Sequence, residues 1–98
     1  MFARVTTTKG GDPAKVDESN EFARTNVLPK ARQMGGWKGV ISLADRKTGE
    51  GLLITLWDSE AAMNASAETA KGLRSESYTS GENEANVHGY EVLIFEPA

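Results

Sequence analysis

The feature that most constrains this chain is a hairpin with no wet face. Residues 36–63 read GWKGVISLADRKTGEGLLITLWDSEAAM, a strand, a tight turn, a second strand and the start of a helix. Val40 and Ser42 alternate with Ile41 and Leu43 in the first strand. Leu52, Ile54 and Leu56 alternate with Leu53, Thr55 and Trp57 in the second. Successive strand side chains point to opposite faces, so a half-solvated antiparallel strand shows a polar residue at every second position. Neither strand here does, and both faces need cover. Helices can cover one. Too few segments remain to cover the other, so a second copy of the chain is expected there. Size presses the same way. The 98 residues make one domain, spanning 1–98. A chain this small buries only about 60–65% of its unfolded surface.

Composition excludes several classes of chemistry. There are no cysteines, which removes disulfides, thiolate metal sites and thiol catalysis. One histidine cannot build a multi-histidine metal site within one chain. No metal and no cofactor are expected. A net charge of −3, with scattered lysines and arginines, gives no electrostatic reason to bind nucleic acid or an anionic membrane. No apolar run reaches the roughly 18 residues that suggest a membrane span. The first residues, MFARVTTTKGG, lack the charged-then-apolar pattern of a secretory signal, and a cytoplasmic location is expected.

Along the chain, Phe2–Lys9 reads as a β-branched first strand. Asp12-Pro13 starts a helix, with Asp12 as cap and Pro13 in the first turn. The helix is expected to run to about residue 34. Val16, Ala23, Val27, Ala31 and Met34 share one stripe, and Pro29 kinks the last turns. The hairpin turn is 47–50, with Gly49 at positive φ. Ser59 caps a second helix that extends towards Tyr78, with Met63, Ser66, Ala70, Leu73 and Ser77 inward. A loop is expected at 79–86 and a last strand at 87–96. The order β-α-β-β-α-β is that of a ferredoxin-like α+β fold, a four-stranded antiparallel sheet with two helices on one face.

With that order in place, VLPKARQMGGWKGVISLADRKTGEGLLITLWDSEAAMNAS and the closing HGYEVLIFEP resemble the antibiotic biosynthesis monooxygenase-like family of the dimeric α/β-barrel superfamily. The most specific part is Gly36, Trp37 and Gly39 opening the second strand, followed by Trp57-Asp58-Ser59-Glu60-Ala61. The resemblance implies a homodimer whose two sheets pack face to face, which supplies the missing cover. It also implies a cofactor-free monooxygenase acting on a phenolic or quinol-type aromatic small molecule. The haem-degrading branch resembles a different pattern, with asparagine on the first strand and tryptophan and histidine on the second helix; this chain lacks it.

The residues add polar candidates for such a pocket. Histidine is the one side chain whose ordinary titration range brackets neutral pH, so His88 is the candidate catalytic base if its face meets the helices. Asn20 falls on the inward stripe of the first helix and is expected to be buried, bonded either to a nearby backbone group or a water, or to a ligand. Trp57, Asn64, Ser66 and Tyr78 are the other candidate substrate-binding residues. Arg4 shares a strand face with Thr6; pointing inward it would bind an anion, and at an edge it would form a salt bridge. No phosphate loop, Gly-x-Ser-x-Gly elbow or metal-spaced set is present. The residues therefore leave open a non-catalytic alternative, a small-molecule-binding or stress-associated homodimer.

Overall fold

The computed structural model describes residues 1–9, 11–67 and 84–98. Four strands, β1 (Phe2–Lys9), β2 (Trp37–Ala44), β3 (Gly51–Trp57) and β4 (Glu84–Glu91), form one sheet in the order β2-β3-β1-β4. Every neighbouring pair is antiparallel. This is the ferredoxin-like α+β arrangement, in which β3 is inserted between the two strands that the first helical segment joins.

That segment changes its winding three times. Asp12 Oδ1 accepts from Ala14 N–H at 2.9 Å, and Pro13 opens a short 3-10 turn, Pro13–Lys15. Helix α1 (Val16–Phe22) follows, then a π-turn (Ala23–Val27), then α2 (Leu28–Ala31). Leu28 N–H reaches back five residues to the Ala23 carbonyl. The change comes immediately before Pro29, which has no N–H to continue an α-helical ladder. Thr25 Oγ1 and Asn26 Nδ2 donate to the carbonyls of Glu21 and Phe22 at 2.9 and 3.2 Å. The expected kink is thus a π-turn, and regular helix ends at Ala31 rather than near residue 34. The inward stripe stands: Ala31 is buried and Val16, Ala23, Val27 and Met34 are half-buried.

The β2–β3 hairpin turns through Asp45, whose carboxylate accepts from the N–H groups of Lys47 and Thr48, with Gly49 at φ +80°. A bulge sits where β2 begins: Trp37 pairs with Trp57, yet Gly39 pairs with Leu56. The extra residue turns the strand and brings Trp37 against Trp57. Gly36, at φ +84°, lets helix α3 (Glu60–Ala65) close on this end of the sheet. A Cβ there would stand 2.4 Å from Ala62 Cβ. Ser59 caps α3 as expected, accepting from Ala62 N–H at 3.1 Å.

The last strand differs from expectation at both ends. It starts at Glu84, not 87, because β1 runs to Lys9 and pairs with it. It stops at Glu91, not 96, because its partner ends: Phe2 pairs with Glu91, and only one more bond follows, from Val92 N–H to the Met1 carbonyl. Leu93 and Ile94 beyond it are 83% and 85% exposed. The expected extension of the second helix to Tyr78, and the loop at 79–83, lie outside the described residues.

Candidate active site

Register assigns every strand residue to a face. Arg4 pairs with Thr55 and Gly89, and Thr55 with Val40. Thr6 pairs with Leu53 and Val87, and Leu53 with Ser42. These residues face the helices, because Arg4 bonds to α3 and Ser42 bonds to α1. Ala3, Val5, Ile41, Leu43, Ile54, Leu56, His88 and Tyr90 lie on the other, open face.

The helix face carries a buried polar cluster. Arg4 is 6% exposed and its guanidinium donates to the Met63 carbonyl and, at 2.6 Å, to Ser66 Oγ. Ser66 in turn donates to the Met63 carbonyl at 2.7 Å. Met63 lies in the last turn of α3, where carbonyls lack intrahelical partners and the helix dipole is negative. A cation is well matched to that end. The Arg4 guanidinium also lies 5.5 Å from the Trp57 ring centre, a cation–π distance. Trp57 is 1% exposed. Its other neighbours hold it: Trp37 meets it edge-on at 5.5 Å, and its Nε1–H donates to Thr55 Oγ1 at 3.0 Å. A single indole thus fixes a cation over its face and a hydroxyl at its edge.

Across the same face, Ser42 Oγ donates to Asn20 Oδ1 at 3.1 Å. Asn20 therefore points at the sheet, but it is exposed, not buried as the stripe predicted. Its oxygen is engaged, and its Nδ2 donors have no partner among the described residues. Near the hairpin turn, Arg46 grips Asp17 through two bonds of 2.8 and 3.1 Å, tying α1 to that end of the hairpin. The hydrogen bonds and then the charge of Arg46 lower the Asp17 pKa, and Asp17 raises that of Arg46.

The candidates named from sequence divide accordingly. Trp57 and Ser66 meet through Arg4. Asn20 lies on the same face, above Ser42. Asn64 is exposed, one position after the buried Met63, and has no contact with the cluster among the described bonds. Tyr78 lies outside the described residues. The condition placed on His88 fails. It pairs with Val5 on the open face, 6.2 Å from the Tyr90 ring and turned away from the helices. Thr55 and Ser42 were not singled out as site residues. The signal for them was their alternation with Ile54 and Ile41, polar residues at positions a core strand would fill with apolar ones.

No family model matches the sequence. The uncharacterized Mycobacterium tuberculosis protein Rv2558 (strain H37Rv) is 28% identical over 94 residues, 96% of this chain. The uncharacterized MT2635 of the CDC 1551 / Oshkosh strain matches to the same extent. The chain spans only 39% of the length of either. Solved structures share the fold. A monooxygenase from ActVA-Orf6 of Streptomyces coelicolor, in complex with Nanaomycin D, has a TM-score of 0.64 at 22% identity, over 98% of this chain and 92% of that one. The cofactor-independent oxygenase SnoaB of Streptomyces nogalater gives 0.65 at 17%, over 99% and 97%. The M. tuberculosis haem-degrader MhuD, with two haems in its active site, gives 0.71 at 16%, over 99% and 100%. The resemblance to antibiotic biosynthesis monooxygenases therefore holds at the level of the fold.

Proposed function

We propose that this chain, which has the fold of the antibiotic biosynthesis monooxygenases, is a cofactor-independent monooxygenase acting on a phenolic or quinol-type aromatic held between the helices and the helix face of its sheet. The observation that carries the reading is Asn20. Its carboxamide oxygen is fixed by Ser42, and its exposed amide donors have no partner among the described residues. A pre-oriented donor costs no reorganisation when it meets an oxygen that gains charge during reaction. Arg4 adds a fixed positive charge on the same face, and a nearby cation favours the ionised form of a phenol. The fold shared with ActVA-Orf6 and SnoaB supports the same reaction class.

The chemistry needs little else. An electron-rich phenolate such as that of an anthrone gives one electron to O2. The resulting radical pair joins to form a carbon–oxygen bond, and the hydroperoxide loses water to leave a carbonyl. One O2 is consumed per product and one water released, so no external reductant enters. Asn20 would orient the aromatic through one of its oxygens, Trp57 and Ser66 would hold Arg4, and Asn64 would lie at the periphery. His88, on the opposite face, has no part in this site.

Oxygen uptake by the purified, metal-free protein against quinols, anthrones and polyphenols tests the reading, with heat-inactivated protein as control. Uptake that falls at least tenfold in Asn20→Ala is the expected result. A second reading, a binding protein without turnover, is favoured by the placement of His88, since no histidine reaches the helix face. Tight binding of an aromatic with no uptake would establish it.

The assembly we propose is a homodimer through the open face. Ile41, Leu43 and Tyr90 there are 42%, 49% and 55% exposed, the pattern of a face awaiting cover. Light scattering giving a monomer mass at micromolar concentration would refute it. No helix among the described residues is long and apolar enough to cross a membrane.

A further inference from the structure

Thr55 occupies the middle of the helix face. It pairs with Arg4 on one side and Val40 on the other. Residues paired directly across antiparallel strands hold their Cβ atoms about 4.5–5.5 Å apart. Its hydroxyl is therefore the polar group on β3 next to the Arg4 position. Trp57 Nε1–H donates to Thr55 Oγ1 at 3.0 Å. An indole nitrogen can only donate, so this bond takes a lone pair of the hydroxyl and leaves its proton for another acceptor. No described residue accepts it. The indole is pinned by Trp37 and Arg4 and is 1% exposed, so the hydroxyl it holds has a defined direction. Thr55 itself is half-buried rather than fully enclosed.

We propose that Thr55 is a substrate-positioning donor, whose O–H binds the phenolate oxygen of the substrate beside the positive charge of Arg4. This rests on the function proposed above and narrows its substrate class. Thr55 on β3 takes the ionised phenol, and Asn20 above β2 takes a second oxygen. Ser42, which holds Asn20, is the diagonal neighbour of Thr55, and such neighbours lie about 7–8 Å apart. The ligand is thus a flat aromatic with at least two oxygen functions, one of them a phenol bound as its anion. A hydroxyl donor stabilises the anion over the neutral phenol, because the anion is the stronger acceptor.

Alizarin, a dihydroxyanthraquinone whose colour reports its phenolate, is the probe. Its ionisation midpoint is measured bound to wild type, Thr55→Val and Thr55→Ser, with thermal melting as a check on folding. The expected result is a bound midpoint below that of free alizarin in wild type and in Thr55→Ser. Thr55→Val, which keeps the shape and loses the hydroxyl, raises it by about one pH unit, tenfold in the phenolate-to-phenol ratio. Thr55→Ala gives the same readout if the valine variant folds poorly. A wild-type midpoint in both hydroxyl-free variants overturns the role of Thr55 and leaves the proposed function standing. Failure of wild type to bind any of the oxygenated aromatics, alizarin included, overturns the proposed function itself.

Discussion

The two faces of this sheet differ in how they use polar residues. The helix face sets Arg4, Thr6, Ser42 and Thr55 among the apolar Val40, Leu53 and Trp57. The open face carries Ile41, Leu43, Ile54, Leu56 and Tyr90, with His88 beside them. A monomer with one wet face would keep its polar residues off the covered side and its exposed apolar ones off the other. Both departures have a physical account. Buried polar groups are tolerated where each is hydrogen-bonded, and the buried side-chain polar atoms of the described residues all have partners. An exposed apolar face is tolerated where a second copy covers it. The comparison teaches that chemistry and assembly are divided between the faces: the polar one is equipped to hold a ligand and the apolar one to hold a partner.

The largest blow to this division is Trp57→Ala. It removes the support of both Arg4 and Thr55 and leaves a cavity, with an expected loss of about 3–5 kcal/mol in chemical denaturation. Arg4→Met comes next. It keeps the bulk, deletes the charge and leaves the Met63 carbonyl with one bond fewer, at an expected cost of about 1–3 kcal/mol; aromatic binding should weaken with it. Leu43→Asp strikes the other face. It should yield a monomer by light scattering with an unchanged circular dichroism spectrum, and a dimer that survives it would contradict the proposed interface. His88→Ala sharpens the comparison by doing little: oxygen uptake per protomer should stay within about twofold of wild type.

Arg46→Ala has the smallest effect. Arg46 holds the Asp17 carboxyl below its ordinary range. A depressed folded pKa adds stability above the unfolded value, and that stability is lost as pH falls through the folded one. Melting curves of wild type and Arg46→Ala should therefore differ slightly near neutrality and converge in acid. Both side chains are exposed and screened by solvent.

The sequence made the framework readable because its signals are local. Asp12 and Ser59 cap, Gly49 turns, and a hairpin lacking a polar residue at every second position demands cover on both sides, each signal read from residues a few positions apart. The failures were of longer range. Alternation places His88 and Tyr90 together but does not say which face they share; only the pairing of Val5 with His88 decides that, and a one-residue shift would reverse it. The end of β4 is set by where β1 begins, not by the apolar run through Phe95. The stripe on the first helix aimed Asn20 at the sheet correctly. It could not tell that Asn20 meets Ser42 on the sheet while staying exposed. The donor role proposed for Thr55 comes from the indole of Trp57 two residues on, a partnership that spacing permits and only packing establishes.

The most direct test of the division between faces is the chemical shift of two ring systems as alizarin is added to isotope-labelled protein. The Trp57 indole N–H, which bonds to Thr55 on the helix face, should move on saturation, while the His88 ring on the open face stays in place. A shift at His88 with the Trp57 indole unmoved would put the ligand on the wrong face and contradict the account.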